Sequence, residues 1–264
     1  MTDEIRKLLE MLASPNLIAS DIIPWSSPVP AFGRADRSQL ATVGINPSNR
    51  EFVDQSGNEL DGAQRRFHTL HSLDLVNWAD ASAGDLHKIA DSCSQYFEIN
   101  PYDRWFKRLD IIIAECGYSY YSARRPACHL DLVPFATWTK WGVLPSSKKR
   151  LLLESFKRTL GRLVRDSPVK VLILNGQSVV QQFQMLTPSH LVSADAPGWE
   201  LSRRGGSTVR GVSYRANVSY IGGVDLRKRV LVLGYNHNIQ SSFGVSTMVI
   251  DSIGRWLAQE LQLK

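Results

Sequence analysis

Val169-Lys170-Val171-Leu172-Ile173-Leu174-Asn175-Gly176 is the stretch on which the architecture turns. Its apolar core has strand length, is rich in branched side chains and carries no internal polar alternation, which predicts a strand buried on both faces. Glycine then turns the chain into a helix whose apolar residues start at Val179. Upstream, Leu152, Phe156, Leu160 and Leu163 share one helical face between Leu151 and Val164. Helix, buried strand, turn and helix in that order make a parallel α/β sheet the expectation.

Working outward, three further runs read the same way. Leu40–Ile45 forms a short apolar strand that stops at Asn46-Pro47-Ser48-Asn49. Ala127–Val133 is closed by Pro134, and Val230–Gly234 supplies a fourth. Residues 209–222 alternate loosely through Val212, Tyr214, Val218 and Tyr220, which suggests a hairpin. Trp105, Phe106, Leu109, Ile112 and Ile113 mark a helix ending near Gly117, while Ile5 to Leu12 and Val245 to Leu257 open and close the chain with helices. The expected fold is therefore a three-layer αβα domain of class α/β. It has a mostly parallel four-stranded central sheet and spans 1–264 as one unit, with a polar, irregular insertion at about 50–100.

Composition narrows the class further. A hydrophobic content of 43% with 21% charged residues suits a soluble globular protein, and no run reaches the roughly 18 apolar residues of a membrane span. The acidic start Met1-Thr2-Asp3-Glu4 does not read as a signal peptide, so a cytoplasmic location is expected. Cys93, Cys116 and Cys128 are widely spaced and odd in number, which argues against a disulfide framework or a CxxC zinc site. The five further histidines lack metal-ligand spacing. No metal and no cofactor are expected. A net charge of +6, with short clusters such as Arg65-Arg66 and Arg227-Lys228-Arg229, suits a polyanionic partner without requiring one.

Open sheets place ligands beyond the carboxyl ends of their strands. Here those ends carry Asn46-Pro47-Ser48, Asp131 with Pro134-Phe135, Asn175-Gly176-Gln177-Ser178, and Tyr235-Asn236-His237-Asn238. Neither GxGxxG, GxxxxGK[ST] nor GxSxG occurs at these ends. An amide and an imidazole across a cleft do not make a strong nucleophile. They can hold a water and stabilise a departing anion.

In this order the segments resemble the motifs of the uracil-DNA glycosylase superfamily. Gly44-Ile45-Asn46-Pro47-Ser48 is similar to the water-holding motif of its mismatch-specific and single-strand-selective branches. Cys128–Phe135 resembles the base-reading strand, with Asp131 where asparagine is usual. Asn175-Gly176-Gln177-Ser178 resembles the phosphate loop, and His237 with Ser241-Ser242 the DNA-penetrating loop, although the proline usual after that histidine is missing. The proline-rich Ser26-Ser27-Pro28-Val29-Pro30 looks like the loop that compresses the DNA backbone.

The resemblance implies a monofunctional DNA glycosylase that flips a nucleotide out of the duplex and leaves an abasic site. It implies Asn46 as the water-orienting group and His237 as donor to O2 of the departing base. Asp131 and Ile45 would line the base, with Phe52 stacking on it, or else Phe135 or Phe67. Ser27, Ser48, Gly176, Gln177, Ser178 and Ser241 would hold the DNA backbone. The partner implied is DNA, with no membrane and no obligate protein partner. A carboxylate at Asp131 has acceptors only, so it favours an exocyclic amine over the O4 of uracil. The substrate expected is accordingly a cytosine-type base distinguished from plain cytosine by a C5 substituent. Excision of glucosylated hydroxymethylcytosine from phage DNA, an antiviral defence, is the reaction that the resemblance implies. Uracil or mismatch repair, and a catalytically silent DNA-binding module of the same fold, stand as alternatives. So does Asp131 as a buried structural partner of Arg124 or Arg125.

Overall fold

The computed structural model describes residues 1–99, 103–202, 206–240 and 244–262, apart from the side chains at 18 and 103. Helices α1 (Thr2–Met11) and α2 (Pro15–Ile18) lead into strand β1 (Leu40–Gly44). Three-ten turns then carry the chain to α3 (Ala83–Ser94), α4 (Tyr96–Ile99) and α5 (Asp103–Ala114). Strand β2 (Ala127–Asp131), helix α6 (Ser146–Arg165), strand β3 (Val171–Asn175) and helix α7 (Gln177–Gln184) follow. Strands β4 (Val192–Asp195), β5 (Leu201–Ser202), β6 (Thr208–Val209), β7 (Val212–Ile221) and β8 (Val224–Tyr235) precede the closing helix α8 (Thr247–Gln262).

Among the described residues the main sheet has six strands in the order β2-β1-β3-β8-β7-β4, so the expected count of four is too low. The four apolar runs read from sequence are its parallel part, β2, β1, β3 and β8. The other two strands are antiparallel additions. The alternating segment around 212–220 does form a hairpin, but its partner is β8 itself, joined through Gly222 and Gly223. Both glycines have positive φ, as a two-residue hairpin turn that follows strand twist demands. The first half of β8, Asp225 to Arg229, is mostly polar and leaves the two-sided core, so only its second half carries an unbroken apolar run.

Strand alternation builds two cores. Leu40, Val171, Ile173, Leu231 and Leu233 face α5 and α8. Ala41, Val43, Leu172, Leu174, Val230 and Val232 face α6 and α7. The three layers follow from this two-sided burial. A third cluster joins α1 and α3 to Phe135, Leu152 and Phe156. Among the described residues no helix is long and apolar enough to cross a membrane.

The insertion at 50–100 does not hang off the surface. Its Phe52, Phe67, Cys93, Tyr96 and Phe97 are buried in the α5-side core.

Candidate active site

The same alternation that buries Leu40 on the α5 side puts Thr42 and Gly44 of β1, and His129 and Asp131 of β2, on that face. In register, Thr42 lies beside His129 and Gly44 beside Asp131. A methyl group added at Gly44 would sit 2.4 Å from Asp131 Oδ1 and 2.8 Å from His129 Nε2. Glycine at this position is thus a matter of room: it lets two polar side chains lie flat across the neighbouring strand.

These residues line a cavity of about 140 Å³ at the carboxyl ends of β1 and β2. Its polar wall comprises Asn46, Ser48, Glu51, His129 and Asp131, and its apolar wall includes Phe32, Trp105 and Phe106. A cavity of that size takes one six-membered ring, since an engineered void of about 150 Å³ holds benzene. Two roomier grooves, of about 610 and 650 Å³, lie along α1–α3 and α6–α7 and contain none of the strand-end polar residues.

Asn46 is pinned by its amide nitrogen. Nδ2 donates to the carbonyls of Pro47 (3.1 Å) and Phe135 (3.4 Å) and to Thr137 Oγ1 (3.3 Å). Two carbonyl partners admit only the NH₂ end of the amide, so Oδ1 is the end left to meet a water or ligand.

His129 joins a buried polar chain. Its Nδ1 is 2.7 Å from Thr42 Oγ1, which in turn lies 2.5 Å from the Tyr120 hydroxyl. Its Nε2 is 3.3 Å from Asp131 Oδ1. Asp131 therefore rests on His129, and Arg125 instead stacks on the Tyr118 ring.

Glu51 closes the cavity from the other side. It ends a three-ten turn, Asn49–Glu51, capped by Ser48, whose Oγ accepts from the Arg50 amide. Only 2% exposed, it receives the Tyr96 hydroxyl at 2.9 and 3.0 Å from its two oxygens and lies 3.4 Å from Arg66 Nη1. Burial pushes its carboxyl up to about 7, against the opposing pull of Arg66 and Tyr96, and the negative Asp131 adds to the rise.

The expected site residues divide sharply. Asn46, Asp131, Ile45 and Ser48 line the cavity. Phe52 does not: its ring packs against Trp25 and Phe67 in the core. Phe135 is likewise fully buried against Phe156, and only its backbone carbonyl serves the site, by holding Asn46. The phenylalanine and tryptophan side chains that line the cavity are instead those of Phe32, Trp105 and Phe106. Ser27 is fully buried, so it offers a phosphate nothing to touch.

His237 does not join Asn46 and Asp131. It is buried among other residues, with Nε2 2.6 Å from the Trp199 carbonyl. A carbonyl can only accept, so Nε2 carries the proton and spends it there. Burial lowers the tendency of this imidazole to protonate, which leaves Nδ1 an acceptor. Donation to a base in the cavity is not available from this arrangement.

At the third strand end, the Gly176 and Gln177 amides donate to the carbonyls of Tyr235 and Asn236 rather than to an open cradle. Gln177 and Ser178 are exposed at the start of α7, and the side-chain Oε1 of Gln177 accepts from the Tyr214 hydroxyl. Ser241 lies outside the described residues. No family model matches the chain, and no curated protein matches it.

Beside the aromatic residues Phe32, Trp105 and Phe106, two polar residues of the cavity, Glu51 and His129, carry no site signal in the sequence. Glu51 sits in a polar stretch, yet Ser48-Asn49-Arg50-Glu51 has the spacing of a helix-start box, which places it one turn beyond Ser48. His129 shares strand parity with Asp131, and that alone aims both at one space.

Proposed function

We propose that the protein is a DNA glycosylase that removes an amine-bearing pyrimidine, of the C5-substituted cytosine class, from an everted nucleotide. The observation that carries this reading is the common cavity of Asn46 and Asp131, one ring in volume and walled by aromatic faces. A base slotted between Trp105, Phe106 and Phe32 gains stacking and burial. Asp131, held by His129, accepts from the exocyclic amine. Asn46 Oδ1 orients the water that attacks the sugar as the C1′–N1 bond opens through an oxocarbenium-like state. The cavity fits the ring alone, so a C5 substituent has to project through its opening.

The test is incubation with DNA containing uracil, cytosine, hydroxymethylcytosine or glucosylated hydroxymethylcytosine. Mass spectrometry identifies any released base, and an aldehyde-reactive probe counts abasic sites. Release of a substituted cytosine without uracil is expected. Asp131→Asn shifts the ratio toward uracil by about 10- to 100-fold, the 1–3 kcal/mol of one matched base contact. Asn46→Ala abolishes release. An unchanged rate in Asn46→Ala, or no release from any substrate, overturns the reading.

A second reading draws on His237. With that imidazole committed to Trp199, the site is also suited to binding a base without hydrolysing it. Tight binding of the same DNA with no abasic product is the outcome that selects it.

A further inference from the structure

We propose that Glu51 is a catalytic acid of this site, donating its carboxyl proton to the ring nitrogen next to the amine that Asp131 accepts. This rests on the glycosylase reading and adds to it a catalytic residue and the ring nitrogen that it protonates.

The geometry is that of two carboxyl groups on one ring-sized cavity, delivered by different elements: Glu51 from the turn after β1, Asp131 from the end of β2. An amidine edge, a ring nitrogen beside an exocyclic amine, needs one donor and one acceptor side by side. A carboxylic acid next to a carboxylate supplies that pattern, whereas two carboxylates, which only accept, do not.

Glu51 is the member built to hold the proton. The Tyr96 hydroxyl reaches both its oxygens but has one hydrogen to give. Arg66 Nη1, at 3.4 Å, is a long contact. The groups that face Glu51 are Tyr96 from α4, Arg66 from the loop before Phe67, and Asp131, with His129 behind it. Burial beside the charge of Asp131 keeps the proton in place near neutrality, up to about 7.

The proton balance closes. As the C1′–N1 bond breaks, its electron pair passes into the ring and the Glu51 proton goes to the ring nitrogen, so the base departs neutral. The water held by Asn46 bonds to C1′ through oxygen. The proton it loses returns to the Glu51 carboxylate through solvent, and one water is consumed in all. Glu51 thus supplies the charge relief that His237, committed to Trp199, does not.

Two measurements test this on the full chain. The first is calorimetric binding of free 5-hydroxymethylcytosine between pH 6 and 9. The second is base release from DNA carrying glucosylated hydroxymethylcytosine over the same range. In the unaltered protein, affinity and kcat/KM should fall about tenfold per pH unit above 7. Glu51→Gln, which keeps a donor but has no proton to transfer, should flatten both profiles. It should slow release by about 10²- to 10⁴-fold while binding the base within tenfold near pH 7. Tyr96→Phe, which removes a hydrogen bond that favours the carboxylate, should move the falling limb to higher pH. A Glu51→Gln protein that is folded by circular dichroism and keeps the original rate or pH limb overturns the proposal. If the unaltered protein releases no base yet binds free base with a limb that Glu51→Gln removes, the hydrolysis reading fails. Glu51 then stands as a proton-bearing recognition group and not as a catalytic acid.

Discussion

The carboxyl ends of β1 and β2 and those of β3 and β8 lie on the same sheet, carry similar numbers of polar residues, and are built to opposite purposes. At β1 and β2, side chains are held from behind. Asn46 is pinned by its nitrogen, Asp131 by His129, and Glu51 by Tyr96, so that their other ends meet a shared space. At β3 and β8 the polar groups consume one another. His237 closes on Trp199, Asn175 on Gln240, and the Gly176 and Gln177 amides on the carbonyls that end β8. A polar strand end is a site only where the inward partners leave one valence unspent. The second end is a latch.

The two ends should respond to pH with opposite sign, and this is the largest effect expected. Glu51 ionises near 4.5 in an unfolded chain and near 7 when folded. The folded protein binds that proton more tightly, so the contribution is whole below about 4.5 and is lost as pH climbs through 7. At about 1.4 kcal/mol per pH unit of difference, the loss is on the order of 3 kcal/mol. His237, whose protonation burial disfavours, contributes stability that is present above its unfolded value of 6.5 and lost as pH falls. Urea unfolding from pH 5 to 8 checks both. Glu51→Gln should remove the decline toward alkaline pH, and His237→Ala should remove the weaker decline toward acid. A decline that survives Glu51→Gln places the buried proton elsewhere.

Gly44 offers a smaller, more local way to break the comparison. The added carbon of Gly44→Ala meets Asp131 Oδ1 and His129 Nε2 well inside contact distance. Asp131 must turn or the strands must part, at a cost of about 1–3 kcal/mol of overpacking. Base affinity should drop about tenfold or more, because in the proposed function the displaced carboxylate is the group that accepts from the amine. The ties around His237 should survive, with amide exchange at Gly176 and Gln177 unchanged. If Gly44→Ala binds base normally, Asp131 is not positioned by the bare strand.

Much of the fold was legible because two-sided burial writes itself into a sequence as unbroken apolar runs. That is why all four parallel strands and the helices beside them stand out. The expected count of four falls short where that signal lapses: β4 is exposed throughout, the outer half of β7 alternates with uncharged polar residues, and that of β8 with charge. Asn46 and Asp131 were readable because strand ends of an α/β sheet are marked positions. The aromatic wall was not. Phe52 and Trp105 look alike as residues, and only tertiary packing sends one ring to the core and the other to the cavity. His237 shows the limit most clearly, since no local pattern announces that the Trp199 carbonyl, far along the chain, will take its proton.

Gln240 is where the two ends touch, and the smallest prediction sharpens the boundary. Its Oε1 accepts from Asn175 Nδ2 at 2.8 Å, while its Nε2 donates to the carbonyl of Trp105 at 3.4 Å. Trp105 is a wall of the cavity, so one side chain spans latch and site. Gln240→Ala removes one good and one long hydrogen bond, worth about 1 kcal/mol together, mostly from the Asn175 side. If the ends are separate devices, that loss appears in unfolding alone and base affinity stays within about threefold, less than 1 kcal/mol. A larger loss of affinity means the latch sets the Trp105 wall through its backbone. The double variant with His237→Ala decides it: additive stabilities with untouched binding keep the ends apart, and coupled binding losses join them.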